Sequence, residues 1–189
     1  SGGKDTVKIV KKLREIDPAA KIGPVSSIQV VYPISSKPED VAAALQAEEM
    51  MEFYMLDLSV YGEYSPAAST WLKKRNLFPD TNVEDSKILK SSKPDFIGVN
   101  YYFSICAQAE EKPFDFDTSF FWASDDCRIV TNSYLTKSEW MNMGIDPDGL
   151  YNGMRKIYDR YRLSMIVTEN GMAISEQLDE DNKIHDNYR

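Results

Sequence analysis

The chain has 189 residues, a net charge of −8 and 42% hydrophobic residues. These values fit one globular domain, which we place over residues 1–189, and they exclude a disordered acidic tail and a low-complexity chain. The 30 acidic residues outnumber the 22 basic ones, so we expect no nucleic-acid partner. No stretch approaches the roughly 18 consecutive apolar residues of a membrane-spanning helix, so we expect no membrane partner either.

Cysteine and histidine usage limits the metal chemistry and indicates the compartment. Cys106 and Cys127 have no Cys-x-x-Cys spacing, and His185 is the single histidine. Neither a zinc cluster nor a disulfide framework can be assembled from these residues, so we expect no metal and no cofactor. The first residues show no signal-peptide pattern. Together these features predict a cytoplasmic protein.

Hydrophobic periodicity and capping residues predict the helices. The predicted helices cover 5–16, 38 to about 54, 66 to about 77, 82–91 and 147–161. The helix that starts at Pro38 is the clearest, because it is rich in Ala, Leu, Glu and Met. Residues 172–189 are polar, and a turn is predicted over 179–183.

Short apolar runs between the helices predict strands. We expect strands over about 21–30, 95–102 and 164–168, the last two buried on both faces. Residues 104–139 show no steady hydrophobic period, so we predict a long ordered loop there, with or without a hairpin. Helical connections allow successive strands to pair in parallel, so the sequence predicts an α/β fold.

Polar side chains follow two of the predicted strands at their carboxyl ends. Asn100 and Tyr102 end one strand, and Glu169 follows the next strand along the chain. Ligands of α/β proteins gather at such ends, because the loops converge there. These three residues are therefore the candidate site.

Glu169 has the placement of a nucleophile. A carboxylate at a strand end can attack an anomeric carbon, provided that a second carboxyl group acts as acid and then as base. The same residue could equally be an ordinary cap of the following turn or a member of a surface ion pair. Strand placement alone leaves these alternatives open.

Asn100 and Tyr102 occupy alternate strand positions, so both can project to one face. A tyrosine hydroxyl that donates to a carboxylate would orient it and favour its ionised form. The alternative is that Tyr102 is a packing residue with a solvated hydroxyl. The residues alone favour this second interpretation.

Read together, the two strand ends resemble those of the glycoside hydrolase family 1 β-glycosidases. The segment 95–102 (DFIGVNYY) resembles the sixth-strand motif of that family, and 167–171 (VTENG) resembles the seventh-strand motif that contains the nucleophile. Further similar stretches are 57–64, 145–150 and 186–189. The resemblance thus runs from the opening helix to the last residue.

The resemblance implies a partial (β/α)8 TIM barrel with parallel strands separated by helices. By that alignment, the chain is a C-terminal-half fragment that covers strands five to seven of the eight-stranded barrel. Complete barrels typically need about 250 residues, more than this sequence has. The acid/base glutamate of the family lies in an Asn-Glu-Pro motif, and this sequence contains no Asn-Glu-Pro.

Roles transfer from the family residue by residue. Glu169 resembles the catalytic nucleophile, Tyr102 the tyrosine that hydrogen-bonds to it, and Asn100 the asparagine near the acid/base. Trp140 resembles a substrate-binding tryptophan on the aglycone side, although the following residues 141–144 depart from the family pattern.

The implied function is that of a retaining β-glycosidase fragment, which carries the nucleophile but lacks the acid/base. Its substrate would be a β-glucoside or a phosphorylated disaccharide, because 145–150 and 186–189 look most like the 6-phospho-β-glucosidase branch. The alternative is a non-catalytic α/β module for sugar binding or protein interaction. In either case we expect the fragment to self-associate, because a partial barrel exposes strand edges and an apolar face.

Overall fold

A computed structural model of the chain describes residues 2–110, 126–139, 142–172 and 175–185. The helices are α1 (Gly2–Ile16), α2 (Pro38–Glu48), α3 (Tyr54–Tyr61), α4 (Pro66–Lys74), α5 (Val83–Lys90) and α6 (Pro147–Tyr161). The strands are β1 (Val25–Ser27), β2 (Val30–Pro33), β3 (Phe96–Tyr101), β4 (Ser104–Ala109), β5 (Cys127–Val130) and β6 (Ser164–Asn170). In this described part of the chain, every helix is too short or too polar to traverse a bilayer.

The described strands form two three-stranded sheets. In the first sheet, the order is β1-β3-β6 and both pairings are parallel. In the second sheet, β2 pairs with β4 in parallel and β4 pairs with β5 antiparallel. The predicted α/β fold with parallel strands separated by helices is therefore confirmed.

The main core lies between the first sheet and the helices α3 and α6. Ile97 and Val99 of β3 are fully buried, as are Leu56 of α3 and Ile157 of α6. Ile97 and Val99 are two residues apart, as on one face of a strand, while Leu56 and Val60, like Ile157 and Tyr161, are four apart, as on one face of a helix, so each element turns one apolar face inward. The core therefore fixes the position of β3, the central strand of this sheet.

A second core lies under helix α2. Ala43, Ala44 and Ala47 are buried against Val31 of β2 and Ala107 of β4. Because alanine side chains are short, the helix lies close to the second sheet. This packing holds β4 in place although its sequence has little strand character.

The strand predicted over 21–30 is in fact two strands, so that prediction is wrong in its bounds. β1 ends at Ser27 and belongs to the first sheet, whereas β2 starts at Val30 and belongs to the second. At the junction, the Ile28 N–H donates to the carbonyl oxygen of Asn100 at 2.9 Å. The chain crosses from one sheet to the other at residues 28–29.

The helix predicted to end near Tyr54 continues to Tyr61. A π-helical segment, Glu49–Phe53, joins α2 to α3 without a break in the chain direction. Gly62 then ends the helix in the left-handed conformation, with φ of 72°, where glycine carries no steric penalty. Part of the predicted 104–139 loop is also regular, since β4 and β5 pair there.

A buried ionic cluster joins α6 to α3 and to the π-helical segment. Arg160 donates to Glu49 at 3.0 and 3.1 Å, and its Nε donates to Asp57 at 2.9 Å. The Tyr161 hydroxyl donates to the same Asp57 carboxylate at 2.8 Å. Because the Asp57 side chain is only 3% exposed, its charge needs these donors.

Replacing Arg160 by Met should destabilise the protein by about 3 kcal/mol, because removing one member of a buried ion pair leaves the other charge uncompensated. The matched control is Arg155→Met on the same helix. Arg155 forms an exposed pair with Asp159 at 3.7 Å, and its loss should change the free energy of unfolding by less than about 1 kcal/mol. Chemical denaturation measures both variants, and equal effects would contradict this account.

Candidate active site

The site forms where β3 and β6 end side by side. The pair is in register from Phe96 to Val99, with Val99 opposite Val167. The register then shifts, so that Asn100 lies opposite Glu169. Thr168 is the extra residue of β6 at this bulge, a feature that often redirects side chains next to functional sites.

Tyr102 and Glu169 contact each other at this rim. The Tyr102 hydroxyl donates a hydrogen bond to Oε2 of Glu169, and both side chains are exposed. The hydrogen bond to Glu169 raises the pKa of the Tyr102 phenol above its ordinary value, helped by partial desolvation and by the nearby charge. Tyr102 therefore stays protonated and available as a donor to the carboxylate.

Asn100 is held in the same group by Thr168 and Ile28. Thr168 Oγ1 donates to Oδ1 of Asn100 at 2.5 Å, and the backbone of Asn100 accepts from Ile28. Asn170 Nδ2 donates to the carbonyl oxygen of Tyr101 at 2.8 Å. These bonds fix the ends of both strands relative to each other.

Tyr101 points to the opposite side and anchors β3 to helix α6. Its side chain is 3% exposed, and its hydroxyl donates to the carbonyl oxygen of Asp146 at 2.7 Å. Asp146 caps α6, since its side chain accepts from the Gly149 N–H at 2.9 Å. A Cβ atom on Gly149 would lie 1.9 Å from the Tyr101 hydroxyl oxygen, so this close approach requires glycine.

A cleft of about 520 Å³ opens beside Tyr102. Its lining is mostly apolar and includes Phe103, Met143, Ile145 and Met172. Clefts of a few hundred Å³ with apolar walls and a few polar groups are typical of small-molecule sites. Tyr102 lines this cleft and also donates to Glu169, so it lies between the cleft and the carboxylate.

The structure brings three of the four sequence-predicted site residues together: Asn100, Tyr102 and Glu169. Trp140 lies outside the described residues. Sequence reasoning missed Thr168 and the cleft residues Phe103, Met143 and Met172. The adjacency of Phe103 and Met172 to the two strand ends was an available signal, whereas Met143 comes from a stretch with no regular pattern.

Comparison with known proteins identifies the family. The sequence model described as glycosyl hydrolase family 1 matches residues 4–189, so the chain belongs to that family. It is 34% identical to an aryl-phospho-beta-D-glucosidase of Bacillus subtilis, BglC, over 96% of this chain and 40% of the relative. It is 31% identical to the 6-phospho-beta-glucosidase AscB of Escherichia coli, over 95% of this chain and 36% of the relative.

The fold agrees with this assignment. The structure is similar to that of a family 1 β-glucosidase from Thermotoga maritima, with a TM-score of 0.77 and 27% identity, over 97% of this chain and 38% of the other. The chain thus spans about two fifths of the length of the relatives it matches. The expectation of a C-terminal half is therefore corrected, because the matched share is less than a half and the comparisons do not support that location.

Replacing Glu169 by Gln should lower the pKa of the Tyr102 phenol towards its ordinary value of 10.0, because a neutral amide no longer favours the protonated hydroxyl. Tyrosine ring resonances, followed by NMR as pH rises, measure this change. The control variant is Glu84→Gln on the exposed surface of α5, which should leave the Tyr102 titration unchanged. Identical titrations in all three proteins would show that Tyr102 and Glu169 do not interact.

Proposed function

We propose that this chain carries the nucleophile of a retaining β-glycosidase and that Glu169 is that nucleophile. The observation that supports it best is the hydrogen bond from Tyr102 to Glu169 at the carboxyl ends of parallel strands. Functional residues of TIM-barrel enzymes occupy such strand ends. The assignment uses three residues, Asn100, Tyr102 and Glu169, that the fold holds in one group.

In the proposed first step, a Glu169 oxygen forms a bond to the anomeric carbon while the glycosidic bond breaks and the leaving oxygen takes a proton from an acid. Tyr102 orients the carboxylate before attack, since it donates to Oε2 and leaves the other oxygen available. In the second step, water displaces Glu169 and the same acid group acts as base. Two inversions at one carbon give net retention.

The second carboxyl group is not assigned to this sequence, because it contains no Asn-Glu-Pro. Retaining enzymes need two carboxyl groups about 5 to 5.5 Å apart. We therefore expect negligible hydrolysis by the 189-residue chain alone. An enzyme that joins this sequence to the remaining barrel strands and to an acid/base group would be active.

The proposed substrate is a β-glucoside or a 6-phospho-β-glucoside. The names of the Bacillus subtilis and Escherichia coli relatives support the phosphorylated form. The apolar cleft beside Tyr102 would accept an aromatic or other apolar leaving group. Trp140, which lies outside the described residues, stays a predicted substrate contact on the aglycone side.

Replacing Glu169 by Ala in such an enzyme should lower kcat for an aryl β-glucoside, or its 6-phosphate, at least about a thousandfold. That factor corresponds to about 4 kcal/mol of activation free energy. The control variant, Glu180→Ala, removes an exposed carboxylate in a turn and should keep kcat within about twofold. Undiminished hydrolysis by the Glu169 variant would disprove the assignment.

Added azide distinguishes a lost nucleophile from a damaged fold. A small anion can occupy the space left by the Glu169 carboxylate and attack the same face of the sugar, which yields a glycosyl azide of inverted configuration. The Glu169→Ala enzyme should form this product from a substrate with a good leaving group. A product with retained configuration would contradict the proposed role.

The alternative proposal is a non-catalytic module, and the exposure of β6 favours an interaction role for the isolated chain. Ile166 and Val167 are 51% and 42% exposed, so the prediction that the 164–168 strand is buried is wrong, although parallel strands are normally covered on both faces. We propose that the chain self-associates through this strand.

Light scattering at increasing concentration should show a dimer or a larger species of the isolated chain. Ile166→Lys should weaken that association, because it places a charge on the exposed strand. Leu178→Lys, at a side chain that is 63% exposed elsewhere, should leave association unchanged. A monomer at all concentrations would refute self-association, and turnover by the isolated chain would refute the non-catalytic alternative.

A further inference from the structure

Glu52 is the least accessible carboxyl group in the described part of the chain, with 1% exposure. It belongs to the π-helical segment Glu49–Phe53. None of the described residues donates a hydrogen bond of normal geometry to either of its carboxylate oxygens. A buried carboxylate without donors is strongly destabilising, so the environment favours its neutral form.

The backbone of Gln29, at the junction between β1 and β2, lies next to the Glu52 carboxyl group. The backbone N–H of Gln29 lowers the pKa of the Glu52 carboxyl group, because it partly stabilises the negative charge, although its geometry is not that of a normal hydrogen bond. The Gln29 side-chain oxygen, Oε1, is also buried and has no partner among the described residues. The Glu52 carboxylate and the Gln29 amide oxygen are thus both buried acceptors without a donor, and one proton on Glu52 would supply it.

The charged groups around Glu52 do not provide that donor. Lys156 donates to Glu48 at 2.5 Å, and Arg160 is engaged by Glu49 and Asp57. Tyr161, the other titratable neighbour on α6, donates to Asp57.

Burial, followed by repulsion from Glu48, raises the pKa of Glu52 to about 8. Lys156, the Gln29 N–H and Arg160 offset these causes only in part. The Glu52 carboxyl group is therefore mostly neutral below about pH 8, and it ionises as pH rises through about 8.

We propose that Glu52 is a positioning residue, whose protonated carboxyl group donates a hydrogen bond to Oε1 of Gln29 and thereby holds the junction between β1 and β2. The π-helical segment supports this role, because π-helical turns redirect side chains and occur frequently near functional sites. Among the described acidic residues, Glu52 of this segment is the one whose two carboxylate oxygens are both buried without a hydrogen-bond donor.

A backbone hydrogen bond connects the junction between β1 and β2 to the candidate active site. Gln29 follows Ile28, whose N–H donates to the carbonyl oxygen of Asn100 at 2.9 Å. Asn100 in turn lies opposite Glu169 in the β3–β6 pair. Loss of the Glu52 proton should therefore loosen the Ile28–Asn100 hydrogen bond first. This inference holds whether or not Glu169 is a nucleophile.

The direct test measures hydrogen exchange of the Ile28 amide in the 189-residue chain as pH is raised, together with the carboxyl ¹³C shift of Glu52. Above its pKa, the neutral fraction of an acid falls about tenfold per pH unit. The protection factor at Ile28 should therefore fall about tenfold between about pH 7 and pH 9, in step with the Glu52 titration.

Glu52→Gln provides the matched variant, because its amide N–H can donate to Gln29 at every pH. The Ile28 protection factor should then stay high and independent of pH, whereas Glu52→Ala should lose protection at all pH values. Glu84→Gln, on the exposed face of α5, should behave like the unmodified chain. Protection at Ile28 that ignores the Glu52 titration, or a carboxyl shift showing Glu52 ionised at pH 7, would overturn the proposal.

Discussion

The candidate site depends on the pairing of β3 with β6 and on its one-residue shift after Val99. Side chains of paired strands alternate between two faces, so a slip of one residue transfers a side chain to the other face. If the register did not shift after Val99, Thr168 would lie opposite Asn100 and Glu169 would lie opposite Tyr101. The Glu169 side chain would then be on the face where Tyr101 is buried against Asp146. The bulge instead aligns Glu169 with Asn100 and Tyr102, at the open rim beside the cleft.

Two sets of hydrogen bonds connect the strand that carries the site to the helices behind it. Tyr101 and the Asp146 cap attach β3 to α6, while the Arg160 cluster attaches α6 to α3. The proposed hydrogen bond from Glu52 to Gln29 would add support from the π-helical segment to the junction between β1 and β2. Tyr102 and Glu169 are exposed, whereas Tyr101 and Asp146, which attach β3 to α6, are buried, an arrangement that keeps a functional site both open and rigid.

Local signals were enough to predict several elements. α6 starts where Asp146 and Pro147 predict it, because the aspartate side chain caps the first turn. The two apolar strands end at the residues singled out as the site, since a polar residue after an apolar run marks a strand end. The family resemblance, rather than periodicity, indicated which chemistry those ends serve, and the comparison with family 1 relatives confirms the family.

Other features had no local signal. The split at residues 28–29 arises because β1 and β2 join different sheets, and no glycine or proline marks it, since neither occurs between Val25 and Tyr32. β4 is a strand because β2 and the alanine face of α2 hold it, so its structure depends on contacts distant in sequence. The π-helical segment is likewise set by tertiary contacts, among them the hydrogen bonds of Glu49 with Arg160.

The most direct measurement of the central claim is covalent trapping. An enzyme that contains this sequence and a complete barrel would be incubated with a slow-turnover fluorinated β-glucoside, with or without a 6-phosphate, and digested for mass spectrometry. The account predicts a glycosyl adduct on the peptide that contains Glu169, and on that residue. An adduct on a different carboxylate, with Glu169 unmodified, would contradict it.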